Sequence, residues 1–270
     1  MGITIMYVDI NGIRMFYMDR SKSDPTGTIV FIHGFPLNHS MWRHQLDYFG
    51  STYRCIAPDL RGFGGSILSD GAPKEAWSMD TFADDIIALM DKLGIDKAHV
   101  CGLSMGGYIA FAVWRKYRQR VQQLILADTK ATGDTAESKA NRARQVELVK
   151  AQGSRAIANE MLPKLLAPDN LKQYEAEVRY MIEITRPEVI AATLPALANR
   201  RDMSDWLRRV QGPTLIALGE KDEIATLKDA EFMRDNIDKA TLAIIPDAGH
   251  LSPLENGPAF NAAMWKILNG

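Results

Sequence analysis

Cysteine is nearly absent from this chain: 270 residues hold two, Cys55 and Cys101, each inside an apolar, strand-like run. Two such residues cannot build a disulfide framework; they read as small core side chains, and a reducing cytoplasmic location is the expectation. Charge of one sign is also missing. Thirty-two Lys+Arg stand against 33 Asp+Glu, a net −1, so no nucleic-acid partner and no anionic membrane surface is predicted. No apolar run approaches the roughly 18 residues of a transmembrane helix. The first residues, MGITIMYVDINGIR, lack the basic start and apolar centre of a secretion signal. Met6 stands where a myristoylation site needs Ser or Thr. Histidine is scarce too, with five in all, which keeps the search for a catalytic base short.

What is present is an average globular composition, 46% hydrophobic and 24% charged, enough for one large α/β domain, with or without an insertion. ITIMYVDI and IRMFYMD flank Asn11-Gly12, a hairpin signal. TIVFIH (28–33) and YRCIAPD (53–59) are continuous apolar runs suited to strands covered on both faces. After Ser78 the period becomes helical through Phe82, Ile86, Leu89, Met90 and Leu93, and Gly94 stops it. A strand at 98–102, a helix from Met105 to about Lys116 and a strand at 121–128 follow. Residues 130–200 carry helical patterns without a clear strand. Strands resume at 213–219 and 241–247, and a helix with Phe260, Met264, Ile267 and Leu268 on one face ends the chain. This alternation predicts a mostly parallel sheet with helices on both faces. The core would comprise 1–129 and 201–270, with 130–200 inserted as a helical unit.

Gly102-Leu-Ser104-Met-Gly106 fits G-x-S-x-G between an apolar strand and a helix. In that context the serine occupies a cramped turn that lifts its oxygen above the strand ends, and small residues two positions away on each side avoid clashes. Such a hydroxyl needs an adjacent base. His250, in PDAGHLSPLE, follows the last predicted strand and lies at the same carboxyl edge. His99 opens a strand and faces the opposite edge; His39 and His44 flank Trp42 at a helix start, where a solvated or packing role is expected. The base needs a carboxylate to fix its tautomer. Asp222, in LGEKDEIA, is preferred, giving the chain order Ser…Asp…His; Asp128 competes, with Glu220 and Glu223 behind it.

HGFPLN follows the first buried strand, and Gly34 permits a turn close to the serine. The backbone N–H groups of Phe35 and Met105 would then share one oxyanion, while His33 bonds the loop. Asp59-Leu-Arg-Gly-Phe-Gly-Gly-Ser66 is glycine-rich, but it has neither G-x-G-x-x-G nor a phosphate-loop lysine; it reads as a brace. No organic cofactor motif and no metal-ligand cluster is visible.

Taken together, HGFPLN, DLRGFGGS, GLSMGGY, GEKD and AGH occur in the order and spacing of the α/β-hydrolase superfamily. Within it the chain resembles small carboxylesterases and 3-oxoadipate enol-lactonases, in HGFPLNHSMW, GLSMGGY and LILADTKA. The resemblance implies an α/β-hydrolase fold with a helical cap at 130–200, nucleophile Ser104, acid Asp222, base His250 and oxyanion amides from Phe35 and Met105. It implies a small ester or lactone substrate, no cofactor and no metal. Met161, Leu162, Leu165, Leu166 and Met181 are candidate lining for an apolar acyl pocket, although residues at this helical spacing are more often core. A homodimer is compatible with an apolar cap surface. A small-molecule receptor on the same fold, and a perhydrolase or other enzyme using the same three side chains, are the alternatives.

Overall fold

The computed structural model describes residues 4–69, 71 and 77–270. The chain enters through an antiparallel hairpin, β1 (Thr4–Ile10) and β2 (Ile13–Arg20). Its turn is Asn11-Gly12, both with positive φ (42° and 73°), the conformation that matches the twist of two paired strands. Next come β3 (Thr28–Ile32), α1 (Arg43–Phe49), β4 (Arg54–Pro58) and a two-residue β5 (Ile67–Leu68) that pairs with β2. So short a strand carries no period, and its formation depends on the edge offered by β2.

The doubly wound part continues with α2 (Met79–Lys92), β6 (Ala98–Leu103), α3 (Met105–Lys116) and β7 (Val121–Ala127). Ser78 and Thr81 form a reciprocal capping box at the start of α2, satisfying N–H groups that the first turn leaves free. Four helices follow: α4 (Ala136–Gln152), α5 (Ser154–Leu165), α6 (Leu171–Glu183) and α7 (Pro187–Ala198). The chain then returns to the sheet through β8 (Thr214–Gly219), α8 (Leu227–Asn236) and β9 (Ala240–Ile245). It closes with α9 (Ser252–Glu255) and α10 (Gly257–Leu268).

The strand order is β1-β2-β4-β3-β6-β7-β8-β9. From β4 to β9 every neighbouring pair is parallel. Parallel strands need helices on both faces, and the central strands are accordingly apolar on both: every residue of β6 and β8 is buried. Phe31, Phe82, Phe111 and Phe260 are fully buried among them. Trp42 belongs to this core as well, its ring tilted against Phe31 at 5.1 Å and Phe260 at 6.2 Å. In α10, Phe260 and Met264 are buried, whereas Ile267 and Leu268 are half-buried at the frayed end.

The helical segment is not a separate layer. α4 packs on α7 and α5 on α6, and their buried side chains belong to the same apolar cluster as the sheet. Parallel strands put all their carboxyl ends on one edge, so the loops after β3, β6, β7, β8 and β9 converge. The helical segment touches that edge at several points. The Thr185 hydroxyl donates to Pro36 O, and Ala167 N–H to Glu255, beside the loop that follows β9. Among the described residues no helix is long and apolar enough to cross a membrane.

Candidate active site

Ser104 occupies the gap between β6 and α3 with φ 54° and ψ −112°. A non-glycine residue pays roughly 1–3 kcal/mol for such a backbone, so neighbours must enforce it. They do so by crowding. A Cβ on Gly102 would lie 2.1 Å from Gly106 O, and one on Gly106 would lie 2.1 Å from Ile32 O; any side chain at either position would push strand and helix apart. The Ser104 backbone is also tied on both sides, its N–H to Ala127 O at 2.9 Å and its carbonyl to the Thr129 hydroxyl at 2.8 Å. An N-cap serine ordinarily turns its oxygen onto the first helical turn. Ser104 makes no such bond, which leaves Oγ free.

Gly34 lies against this turn. A Cβ built on it would sit 3.6 Å from Ser104 Cβ, so Phe35, the next residue, brings its backbone to the serine. Met105 is the first residue of α3, and its N–H therefore has no acceptor within the helix. His33 locks the loop from beneath: Nδ1–H donates to Gly34 O at 2.9 Å and Nε2 accepts from Leu60 N–H at 3.0 Å. Complete burial lowers the His33 pKa to about 4, which agrees with a neutral ring that donates on one side and accepts on the other.

His250 and Asp222 meet at the same edge. His250 Nδ1 is 2.8 Å from Asp222 Oδ2, and both side chains are buried, at 3% and 0% exposure. The other carboxylate oxygen accepts from Ile224 N–H at 2.7 Å and Ala225 N–H at 3.1 Å. With its carboxylate so held, Asp222 takes the imidazole Nδ1–H, and Nε2 carries the lone pair.

The competing acid is engaged elsewhere. Asp128, at φ 46° just past β7, accepts from Gly219 N–H at 2.7 Å and from the Ser252 hydroxyl at 2.6 Å. It is fully buried. Burial pushes its carboxyl well above the ordinary range, and the neighbouring Asp222 charge adds to the shift. Glu220 bonds Asp247 N–H instead. Two further residues were not anticipated from the sequence. Glu255 gathers the N–H groups of Gly249, Leu251 and Ala167 and the Asn170 amide around one carboxylate, and Ser252 holds Asp128. Both stand in PDAGHLSPLE. The signal available there was Ser-Pro opening a helix two residues past His250, with an acid at its end.

His39, expected to be solvated or packed, does more. Its Nδ1 lies 2.7 Å from Asp59 Oδ1, and its ring sits 4.7 Å from that of Phe16. The glycine-rich loop closes on the same aspartate: Gly65 N–H donates to Asp59 Oδ2 at 2.7 Å, and the Ser66 hydroxyl to Asp59 O at 2.6 Å. A carboxylate fills this loop, so it would repel a phosphate; it braces the sheet edge instead.

A cavity of about 260 Å³ opens between Phe35, Ile224 and the helical segment. Of the five apolar residues proposed to line a pocket, Met161 does so. Leu162, Leu165, Leu166 and Met181 are buried in the helical segment, each at 1–2% exposure. The cavity wall instead includes Lys130, Asp134, Arg142 and Glu160, because the loop into α4 and the faces of α4 and α5 turned toward it are polar. Among the described residues no group of three or more His, Cys, Asp or Glu side chains is placed to hold a metal ion.

Comparison with known proteins identifies the family. A sequence profile of the alpha/beta hydrolase fold matches residues 27–257. The chain belongs to the alpha/beta hydrolase family. Among relatives of this hydrolase, the 3-oxoadipate enol-lactonase 2 of Acinetobacter baylyi is 30% identical over 243 residues, covering 89% of this chain and 88% of that one. Among solved structures, a thermophilic esterase from Thermogutta terrifontis superposes with TM-score 0.91 at 35% identity, covering 98% of both chains. The enol-lactonase from Burkholderia xenovorans gives TM-score 0.90 at 26% identity, covering 98% of this hydrolase and all of the other.

Proposed function

We propose that this hydrolase cleaves carboxylic esters or lactones of small substrates through an acyl-enzyme on Ser104. The observation that carries the reading is the buried His250–Asp222 hydrogen bond, 2.8 Å long, at the strand edge where Ser104 leaves its oxygen uncapped. Similarity to proteins named as enol-lactonases and an esterase supports the same chemistry. The steps follow from these groups. His250 Nε2 takes the Ser104 proton as Oγ attacks the carbonyl carbon. The N–H groups of Phe35 and Met105 receive the oxyanion, each contributing roughly 3–4 kcal/mol to the transition state. Collapse expels the alkoxide, protonated by His250; in a lactone the same oxygen stays tethered to the acyl group. Water, deprotonated by His250, then attacks the acyl-enzyme, and the acid leaves with Ser104 restored. Asp222 keeps the imidazole in the tautomer that accepts at Nε2.

Residues 130–200 act as a cap in this reading. They contact the loop carrying Phe35 and the loop carrying His250, and contribute Met161 to the cavity. An apolar acyl group would rest on Met161 and Phe35. The test is a panel of p-nitrophenyl esters, aryl esters and lactones with wild type and Ser104→Ala. Wild type should turn over at least one class, and the variant should lose on the order of 10³-fold or more in kcat while remaining folded. A folded Ser104→Ala as active as wild type would remove the nucleophile from the scheme.

A further inference from the structure

A second cavity, about 180 Å³, lies on the flank of the core where the chain leaves α7. Its wall combines α3 with the residues just after β7 and just after α7. Four cationic side chains reach it, Arg115, Lys130, Arg200 and Arg201, against a single acid, Asp80. Asp80 is already committed, since Arg115 Nη2 donates to its two oxygens at 2.5 and 2.6 Å.

Arg200 is the fixed member of the group. Its side chain is 2% exposed and pairs with Asp134, also 2% exposed. Nη1 also donates to Leu197 O at 3.0 Å and Nη2 to Thr132 O at 2.9 Å, and the guanidinium lies over the Tyr108 ring, 4.3 Å from its centre. Burial alone would raise the Asp134 carboxyl, but hydrogen bonds and charge from Arg142 and Arg200 outweigh it and hold the pKa low, so the pair stays ionised. One donor remains unused: Arg200 Nε is buried without a protein partner. Lys130 and Arg201 enter no ion pair among the described residues. The cavity wall therefore carries two cations, Lys130 and the exposed Arg201, with no ion-pair partner among the described residues, next to an Arg200 whose unpartnered Nε is buried behind it.

We propose that this cavity, which shares Lys130 with the one beside Phe35, is a subsite for a small dianion, a phosphate or a dicarboxylate. Lys and Arg heads match the oxygens of either group. Arg200, committed to Asp134, Leu197 O and Thr132 O, orders this wall and leaves recognition to Lys130 and Arg201. The uncompensated charge in a partly enclosed wall attracts anions from solution. An occupant would tie α3, which begins just after Ser104, to the segment leaving the helical insertion, so binding should register as stabilisation of the folded chain.

The experiment is thermal unfolding of the full chain titrated with inorganic phosphate and, separately, with succinate, each against sodium chloride at matched ionic strength. Wild type, Lys130→Gln, Arg201→Gln and the control Arg118→Gln are compared. Arg118 is exposed and lies outside the cavity. The expected result is a saturable rise in Tm with at least one of the two anions, about tenfold weaker in apparent affinity for Lys130→Gln and for Arg201→Gln, and unchanged for Arg118→Gln. The stronger anion identifies the ligand chemistry. Neither anion exceeding matched chloride overturns the proposal, as do Lys130→Gln and Arg201→Gln proteins that titrate like wild type. Ester turnover is not part of the readout, so this result stands or falls apart from the hydrolase reading.

Discussion

Two aspartates end up near the ends of neighbouring parallel strands, Asp128 after β7 and Asp222 after β8, and the molecule treats them differently. Asp222 sits in a loop whose backbone N–H groups fix one oxygen and aim the other at His250 Nδ1. Asp128 is one residue past its strand, and its oxygens are taken by Gly219 N–H and the Ser252 hydroxyl. It thus bonds the strand leading to Asp222 and the helix that follows His250, without touching the imidazole. Chemical type is identical and the strand ends adjacent. What differs is the length of loop between strand end and carboxylate: three residues let Asp222 swing outward to the imidazole, while one residue keeps Asp128 inside.

The sharpest way to break this contrast is to neutralise each acid without changing its shape. Asp222→Asn replaces an acceptor with an amide able to donate, which favours the wrong imidazole tautomer; kcat on a p-nitrophenyl ester should fall on the order of 10³–10⁴-fold. Asp128→Asn should cost less than about tenfold, because the amide oxygen still accepts from Gly219 N–H and the amide nitrogen donates to Ser252. Equal losses in the two folded variants would erase the distinction.

A smaller effect is expected at Ser252→Ala. It removes one of two partners from a buried carboxyl, a loss of about 1–3 kcal/mol, read as a lower denaturant midpoint with unchanged slope. In the Asp128→Asn background the same substitution should cost less, since the two groups act as a pair. Additive costs would show that they do not.

The smallest effect is a trend with pH. The folded-state pKa of Asp128 is raised by burial and by the Asp222 charge. Between the unfolded value and that raised value, the native state binds more protons than the unfolded state. Stability from this group is therefore full below the unfolded pKa and is lost as pH rises through the folded one. Asp128→Asn cannot titrate, so chemical denaturation from pH 5 to 8 should show wild type weakening relative to the variant. His33 acts oppositely. Its pKa is lowered to about 4 by burial, so its contribution is lost as pH falls from its ordinary value toward 4. A wild type that gains on Asp128→Asn as pH rises would contradict the assignment.

Much of the architecture was legible beforehand because it rests on local chemistry. Asn11-Gly12 specifies a turn with two positive φ angles whatever surrounds it. The short apolar runs at 28–33 and 98–102 suit strands covered on both faces. Gly102 and Gly106 announce a turn where backbones nearly touch. The site was legible to the extent that strand ends are: Ser104, Asp222 and His250 each follow a predicted strand, and parallel strands bring those ends to one edge. β5, the work of Glu255 and Ser252, and the His39–Asp59 bond were not, because each depends on a partner dozens of residues away or on a loop without periodicity. The apolar residues of the helical segment show the same limit. Helical spacing marks Leu162, Leu165, Leu166 and Met181 as apolar-face residues but does not say whether that face meets a cavity or other side chains.

By itself, then, the sequence determined the alternation of strand and helix, the strained serine turn and the set of groups able to act as base and acid. Side-chain size, backbone freedom and hydrophobic period operate within a few residues, so they can be read along the chain. Only the tertiary structure decided which aspartate meets His250, which apolar residues border empty space, and where positive charge gathers without a counter-charge. Those outcomes depend on directions and distances between segments that the chain places far apart, and they are fixed when the sheet closes and the loops settle onto one another.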